Sequence, residues 1–237
     1  MGSNQVPSFK KRFYHVKVKS LKLASLRELG QQMDLVQRKV FCKACGKIWD
    51  LAMIEVSVEA IASLAQYYDQ SLRCFTLGDF QLVPTIEEFE GILGCLLGGS
   101  KSYLFSGFYP SMARVAKVVK ISAQELDRGK QNINGVVGIP RQRLEERAEA
   151  LANQGELVDL VAIDAFFAYH HSKEGPIIVV LADAYDTFNL RCEKSNARIV
   201  CCTPSLYVWL VSVSRSLSHP PLAERMIRWA HNDWLSA

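Results

Sequence analysis

The chain has 237 residues, 49% of them hydrophobic and 22% charged, with a formal net charge of +4. That length and apolar content are enough to bury a core as one domain or as two small lobes, so disorder is not the default expectation for the chain. The longest apolar runs are six residues, as in Ile177 to Ala182, far short of a membrane span. Seven cysteines (Cys42, Cys45, Cys74, Cys95, Cys192, Cys201 and Cys202) follow no signal-peptide pattern, which points to free thiols in a reducing compartment, inside a cell.

Charge is unevenly placed. Residues 1 to 50 hold eleven Lys or Arg against Glu28, Asp34 and Asp50, a net of +8, which leaves −4 for the remainder. Residues 1 to 18 lack helical periodicity and predict a basic, flexible arm ahead of a helical domain spanning residues 19 to 237. Within and just beyond the arm, Lys10, Lys11, Arg12, Lys17 and Lys19 accompany Phe13 and Tyr14. Cations can neutralise phosphates while rings stack on unpaired bases, so these seven residues are the candidate contacts for weak, non-specific nucleic-acid binding. A solvated tail that binds nothing is the plain alternative. The start Met1-Gly-Ser-Asn-Gln-Val6 is close to a myristoylation signal, but Val6 stands where Ser or Thr is required, and no membrane contact is expected.

Regular structure is expected from Leu21. Leu21, Leu23, Leu26 and Leu29, then Met33, Val36 and Val40, give two short helices parted near Gly30, and Ser57 to Tyr68 gives a third. Phe75, Leu77, Phe80 and Leu82 flank Gly78-Asp79 and predict a hairpin. Thr85 can cap the helix that follows, Glu87 and Glu88 suit its positive end, and Phe89, Ile92, Leu93 and Leu96 form its inward face. Gly98 to Pro110 reads as a loop. Ser122-Ala-Gln-Glu125 has the form of a capping box. Asn132 to Ile139 reads as a loop closed by Pro140. Leu157 to Tyr169, Ile177 to Leu190 and Ser205 to Val213 are apolar enough to be core helices, and a last helix is expected after Pro220-Pro221. The fold class is mainly α: a multi-helix bundle with one small β-hairpin.

Four patterns carry possible chemistry. Cys42-Lys-Ala-Cys45 could grip a zinc ion from a turn, but no second pair or His pair at ligand spacing follows, so no metal is expected. Gly94-Cys-Leu-Leu-Gly-Gly-Ser-Lys-Ser102 approaches a phosphate loop but has Ser100 where lysine belongs, and it leaves a helix rather than entering one. Gly98-Gly99 is expected to end that helix. Asp159, Asp164, Asp183 and Asp186, near His170-His171, could serve a metal-dependent hydrolase if they converge, or pair with Arg191 or Arg198. None of the five histidines sits in a catalytic motif, so no catalytic residues and no cofactor are assigned.

The hairpin running into Thr85-Ile-Glu-Glu-Phe-Glu-Gly-Ile-Leu-Gly94 resembles the plant mobile domain, a family associated with transposable elements. Phe41 to Ile48 is similar to that family's Phe-x-x-x-Tyr-Gly-x-Ile element, with Cys45 at the aromatic position. Val118 to Leu126, Gly135 to Pro140, Ile177 to Leu190 and Leu206 to Leu210 follow in the same order. The resemblance implies a nuclear, transposon-derived, non-catalytic protein working through macromolecular contacts in transposon silencing or genome maintenance. It also implies a phosphatase-like partner and a copy truncated at its C-terminus. The "aminotransferase-like" label some members carry finds no support, because no Schiff-base lysine, phosphate cradle or acidic partner is recognisable. The alternative is a metal-dependent hydrolase, or a relic of transposition chemistry, using the carboxylates of the core helices.

Overall fold

The computed structural model describes residues 15–77, 80–95, 101–133, 136–147, 157–172, 174–194 and 196–216. After an extended start come α1 (Ala24–Gln32), α2 (Leu35–Cys45), α3 (Ile48–Met53) and α4 (Val58–Ala65). The break between the first two helices lies at Met33-Asp34, not at Gly30, which sits inside α1. A Cβ at Gly30 would run into the Trp49 ring, so glycine is there to let α3 approach. Asp34 then starts α2 with a full capping box, its carboxylate accepting from Val36 and Gln37 while the Gln37 side chain accepts from the Asp34 amide.

The expected hairpin is present as β2 (Cys74–Leu77) and β3 (Phe80–Leu82), and β1 (Tyr68–Asp69) extends it to an antiparallel sheet of order β1-β2-β3. Helix α5 (Ile86–Leu93) begins in the expected capping box, with Thr85 accepting from Glu88 and Glu88 reaching back to Thr85. Phe89 and Leu93 are buried and Ile92 is partly so. Leu96 lies outside the described residues, as does the helix expected after Pro220-Pro221. Gly94, not Gly98-Gly99, ends α5: it adopts φ 66° and donates its N–H to the Glu90 carbonyl at 2.9 Å.

The second half holds α6 (Met112–Val119) and α7 (Ala123–Gly129), then β4 (Gln131–Ile133), β5 (Val136–Pro140) and α8 (Arg141–Arg147). Beyond them lie β6 (Leu157–Asp159), α9 (Leu160–Phe167) with a π-helical turn to Ser172, α10 (Ile177–Glu193) and α11 (Thr203–Ser216). The stretch read as a loop around Asn132 is therefore a β-hairpin, and the stretch from Leu157 read as wholly helical begins as a strand. Together they make a second three-stranded antiparallel sheet, with Ile139 opposite Val158. The protein is mainly α as expected, with two small sheets among the described residues.

Two apolar clusters hold these elements. The larger joins α4, the first sheet, α5, α10 and α11 through Ile61, Leu64, Phe75, Phe89, Phe188 and Trp209. Phe75 is its hub, 5.0 Å from Phe188 edge to face and 5.7 Å from Trp209. Each such ring pair adds about 0.5–1.5 kcal/mol beyond the area it buries. The smaller cluster packs Val115, Leu126, Ile139 and Phe167, with Arg114 stacked 5.0 Å from the Phe167 ring.

Candidate nucleic-acid interface

Of the seven residues expected to meet nucleic acid, Lys17 and Lys19 are described, and both belong to a short extended segment pinned to the protein. Val18 forms a parallel bridge with Ile199. The Lys19 amide donates to the Ile199 carbonyl at 2.9 Å, and the Ile199 amide donates to the Lys17 carbonyl at 2.8 Å. In extended backbone, successive side chains point to opposite faces. Val16 and Ile199 are accordingly buried and Val18 packs on the main core, while Lys17 and Lys19 are exposed. Lys10, Lys11, Arg12, Phe13 and Tyr14 lie outside the described residues.

The partner segment contributes a cation that sequence reasoning did not place here. With Val18 opposite Ile199, the register sets Lys17 beside Arg198, which is also exposed. Thr187, a buried residue of α10, fixes that segment from behind. Its hydroxyl accepts from the Val200 amide at 2.7 Å and donates to the Arg198 carbonyl at 3.4 Å. A turn closed by the Ala197 amide on the Lys194 carbonyl, 2.9 Å, leads into it from the end of α10, and Lys194 is exposed as well. The signal that could have revealed this arrangement is the period-two pattern Val16-Lys17-Val18-Lys19, which asks for a strand partner under its valines.

The described residues with possible catalytic chemistry are spread over different elements. Asp164 of α9 accepts a hydrogen bond from the buried Tyr103 hydroxyl at 2.9 Å, beside the smaller cluster. Asp183 and Asp186 lie exposed on α10, which packs in the larger one. His171 sets Nδ1 3.1 Å from the Phe167 carbonyl. The side chains of Asp159 and His170 are outside the described set. No group of three His, Cys, Asp or Glu suited to a metal occurs among the described residues.

Cys42 and Cys45 end α2, both half-buried. Burial raises the Cys45 thiol above its usual range, and the neighbouring Cys95 and Cys42 add to that. Gly94 to Ser102 departs from a helix C-terminus, as expected, and residues 96–100 of it lie outside the described set. No helix among the described residues is long and apolar enough to cross a membrane.

A family model described as "Domain of unknown function (DUF7745)" matches residues 26–157 and 152–233. The chain belongs to that family. No curated protein and no solved structure matches it. Membership overturns the resemblance to the plant mobile domain. The elements that carried it were a capped amphipathic helix after a hairpin and a series of apolar helices, which the physics of capping and burial imposes on many unrelated domains. The transposon origin, the nuclear setting and the phosphatase-like partner rested on that resemblance and lose their footing with it.

Proposed function

We propose that this domain is a non-catalytic binding module whose basic edge engages the backbone of single-stranded nucleic acid. The observation that supports it is the alternation at the paired segments: Val16, Val18 and Ile199 face the core while Lys17, Lys19 and Arg198 face solvent. Cations fixed on a hydrogen-bonded edge are pre-organised, so little ordering entropy opposes phosphate contact. The upstream run Lys10-Lys-Arg-Phe-Tyr14 extends the same charge and supplies rings for stacking. Among the described residues, nothing at this edge resembles a helix offering base-reading side chains, so binding is sequence-tolerant.

The test is a titration of a labelled oligodeoxythymidine at two salt concentrations with the intact chain and with a Lys17→Ala, Lys19→Ala, Arg198→Ala variant. Each lost phosphate contact reduces the slope of log affinity against log salt by about 0.7 for a single strand, so the triple variant is expected to lose about 2. The three side chains are exposed, and their truncation is expected to leave the fold intact. Unchanged affinity and slope in a folded variant would remove the edge from the binding account.

A further inference from the structure

Helix α2 carries three large aliphatic residues on the side that faces away from the protein. None of its residues is fully buried, and Leu35, Val36 and Val40 are 78%, 70% and 63% exposed. At about 100° per residue, Leu35, Lys39, Lys43, Val36 and Val40 fall in one arc of roughly 140°, Phe41 and Cys45 fall opposite, and Cys42 lies at the edge of the arc beside Leu35. The inner side is well anchored. Arg38 reaches back to the Gly30 carbonyl at 3.3 Å and lies 5.9 Å from the Trp49 ring centre, and the Lys47 amide just beyond the helix donates to the Leu93 carbonyl at 2.7 Å.

The outer arc is therefore largely exposed. Lys39 and Lys43, four apart on one face, repel each other, and the arc holds no carboxylate to relieve them. Three exposed aliphatics beside two lysines with no ion pair among the described residues call for a surface that is apolar and acidic at the same spacing.

We propose that α2 is the docking site for an acidic amphipathic helix of a partner protein, with apolar anchors at helical spacing and a row of carboxylates beside them. Charge selects this occupant over the others. A second copy of the chain would oppose Lys39 and Lys43 to themselves. A nucleic-acid backbone would meet the lysines but offer nothing to cover Leu35, Val36 and Val40. An anionic bilayer would draw the lysine row, which lies between Leu35 and the valines, into its apolar layer, whereas a helix can set carboxylates against it.

The probe is a labelled synthetic helix of about 18 residues, with leucines at i, i+3, i+4 and i+7 and glutamates flanking them. Fluorescence anisotropy compares it with a counterpart carrying lysine at every glutamate, with phosphatidylserine vesicles and with oligodeoxythymidine. The acidic helix is expected to bind, and the basic one at least about tenfold more weakly. Val36→Ser with Val40→Ser should weaken binding about tenfold or more, and Lys39→Gln with Lys43→Gln should weaken it and flatten its salt dependence. Both pairs should keep nearly the wild-type thermal midpoint, because these side chains are largely exposed. The Lys17, Lys19, Arg198 variant should bind the acidic helix as the intact chain does, which separates this site from the basic edge. Equal binding of the two peptides, no binding of the acidic one, binding of vesicles or oligodeoxythymidine that the α2 variants abolish, or undiminished binding of the acidic helix by those variants would each overturn the proposal.

Discussion

The indole N–H of Trp209 donates to Oε2 of Glu88 at 2.9 Å, and the same oxygen accepts from the Thr85 amide at 2.9 Å. One carboxylate oxygen therefore closes the first turn of α5 and also satisfies the only polar atom of a Trp side chain that is 1% exposed at the centre of the larger core. The two helices are held in register by a group that is itself at the surface.

Glu88→Ala is expected to cost about 2–3 kcal/mol, since it removes a cap and leaves a buried donor without its charged partner. Glu88→Gln keeps an acceptor oxygen in place and is expected to lose less than half as much. Urea unfolding of the two variants measures this; equal losses would show that the Trp209 contact is not what makes Glu88 matter.

Gly30→Ala is a sharper test of packing. The added methyl would enter the space of the Trp49 ring, and Trp49 is only 8% exposed, so the ring has little room to retreat. Overpacking of this kind costs about 1–3 kcal/mol. Alanine at an ordinary helix-interior glycine would instead stabilise by roughly 0.5–1 kcal/mol, so the two accounts differ in sign. The thermal midpoint is expected to fall, and a rise would show that Gly30 is not the seat of the indole.

How much of this was legible depended on whether the deciding contacts were local. Thr85 and Glu88 are three residues apart, and their capping box and the buried face of α5 follow from that spacing alone. The second sheet was missed because its strands are three to five residues long, although Asn134-Gly135 between Ile133 and Val136 is a strong hairpin signal. In α2 the apolar repeat at Val36 and Val40 correctly indicated a helix but pointed to the wrong side, since periodicity shows that a face is apolar without showing what covers it. The basic edge was half visible. Lys17 and Lys19 could be read directly, whereas Arg198 joins them across a parallel bridge that no local pattern encodes.

Alkaline pH should destabilise the protein through Tyr185. Its hydroxyl donates to the Pro84 carbonyl at 3.2 Å, and burial first, then the neighbouring Tyr68, Cys74 and Glu88, raise its pKa from 10.0 to about 12. The folded state thus keeps its proton where the unfolded chain has lost it. The contribution to stability is complete below pH 10.0 and drains away as pH rises to about 12. Urea unfolding at a series of pH values is expected to show this loss, with a shallower slope for Tyr185→Phe. An identical slope in the variant would assign the alkaline loss to other groups.

Thr187→Val isolates what holds the basic edge in place. The substitution keeps the shape of the side chain but removes the hydroxyl that accepts from the Val200 amide and donates to the Arg198 carbonyl. Both backbone groups lie next to Ile199, the bridge partner of Val18, so the loss should loosen the pairing of residues 17–19 while leaving the apolar contacts of α10 in place. Leaving these groups unpaired in a partly buried setting costs about 1–3 kcal/mol. Because that cost falls on one short segment, it should appear as local opening more than as global unfolding. Hydrogen exchange is expected to quicken at the Lys19, Ile199 and Val200 amides, with little change in the core of α5. If these cations act as a pre-organised set, oligodeoxythymidine affinity should fall although every cation is retained. Faster exchange with undiminished affinity would mean that Lys17, Lys19 and Arg198 contribute as charges alone, and that their fixed geometry is incidental to binding.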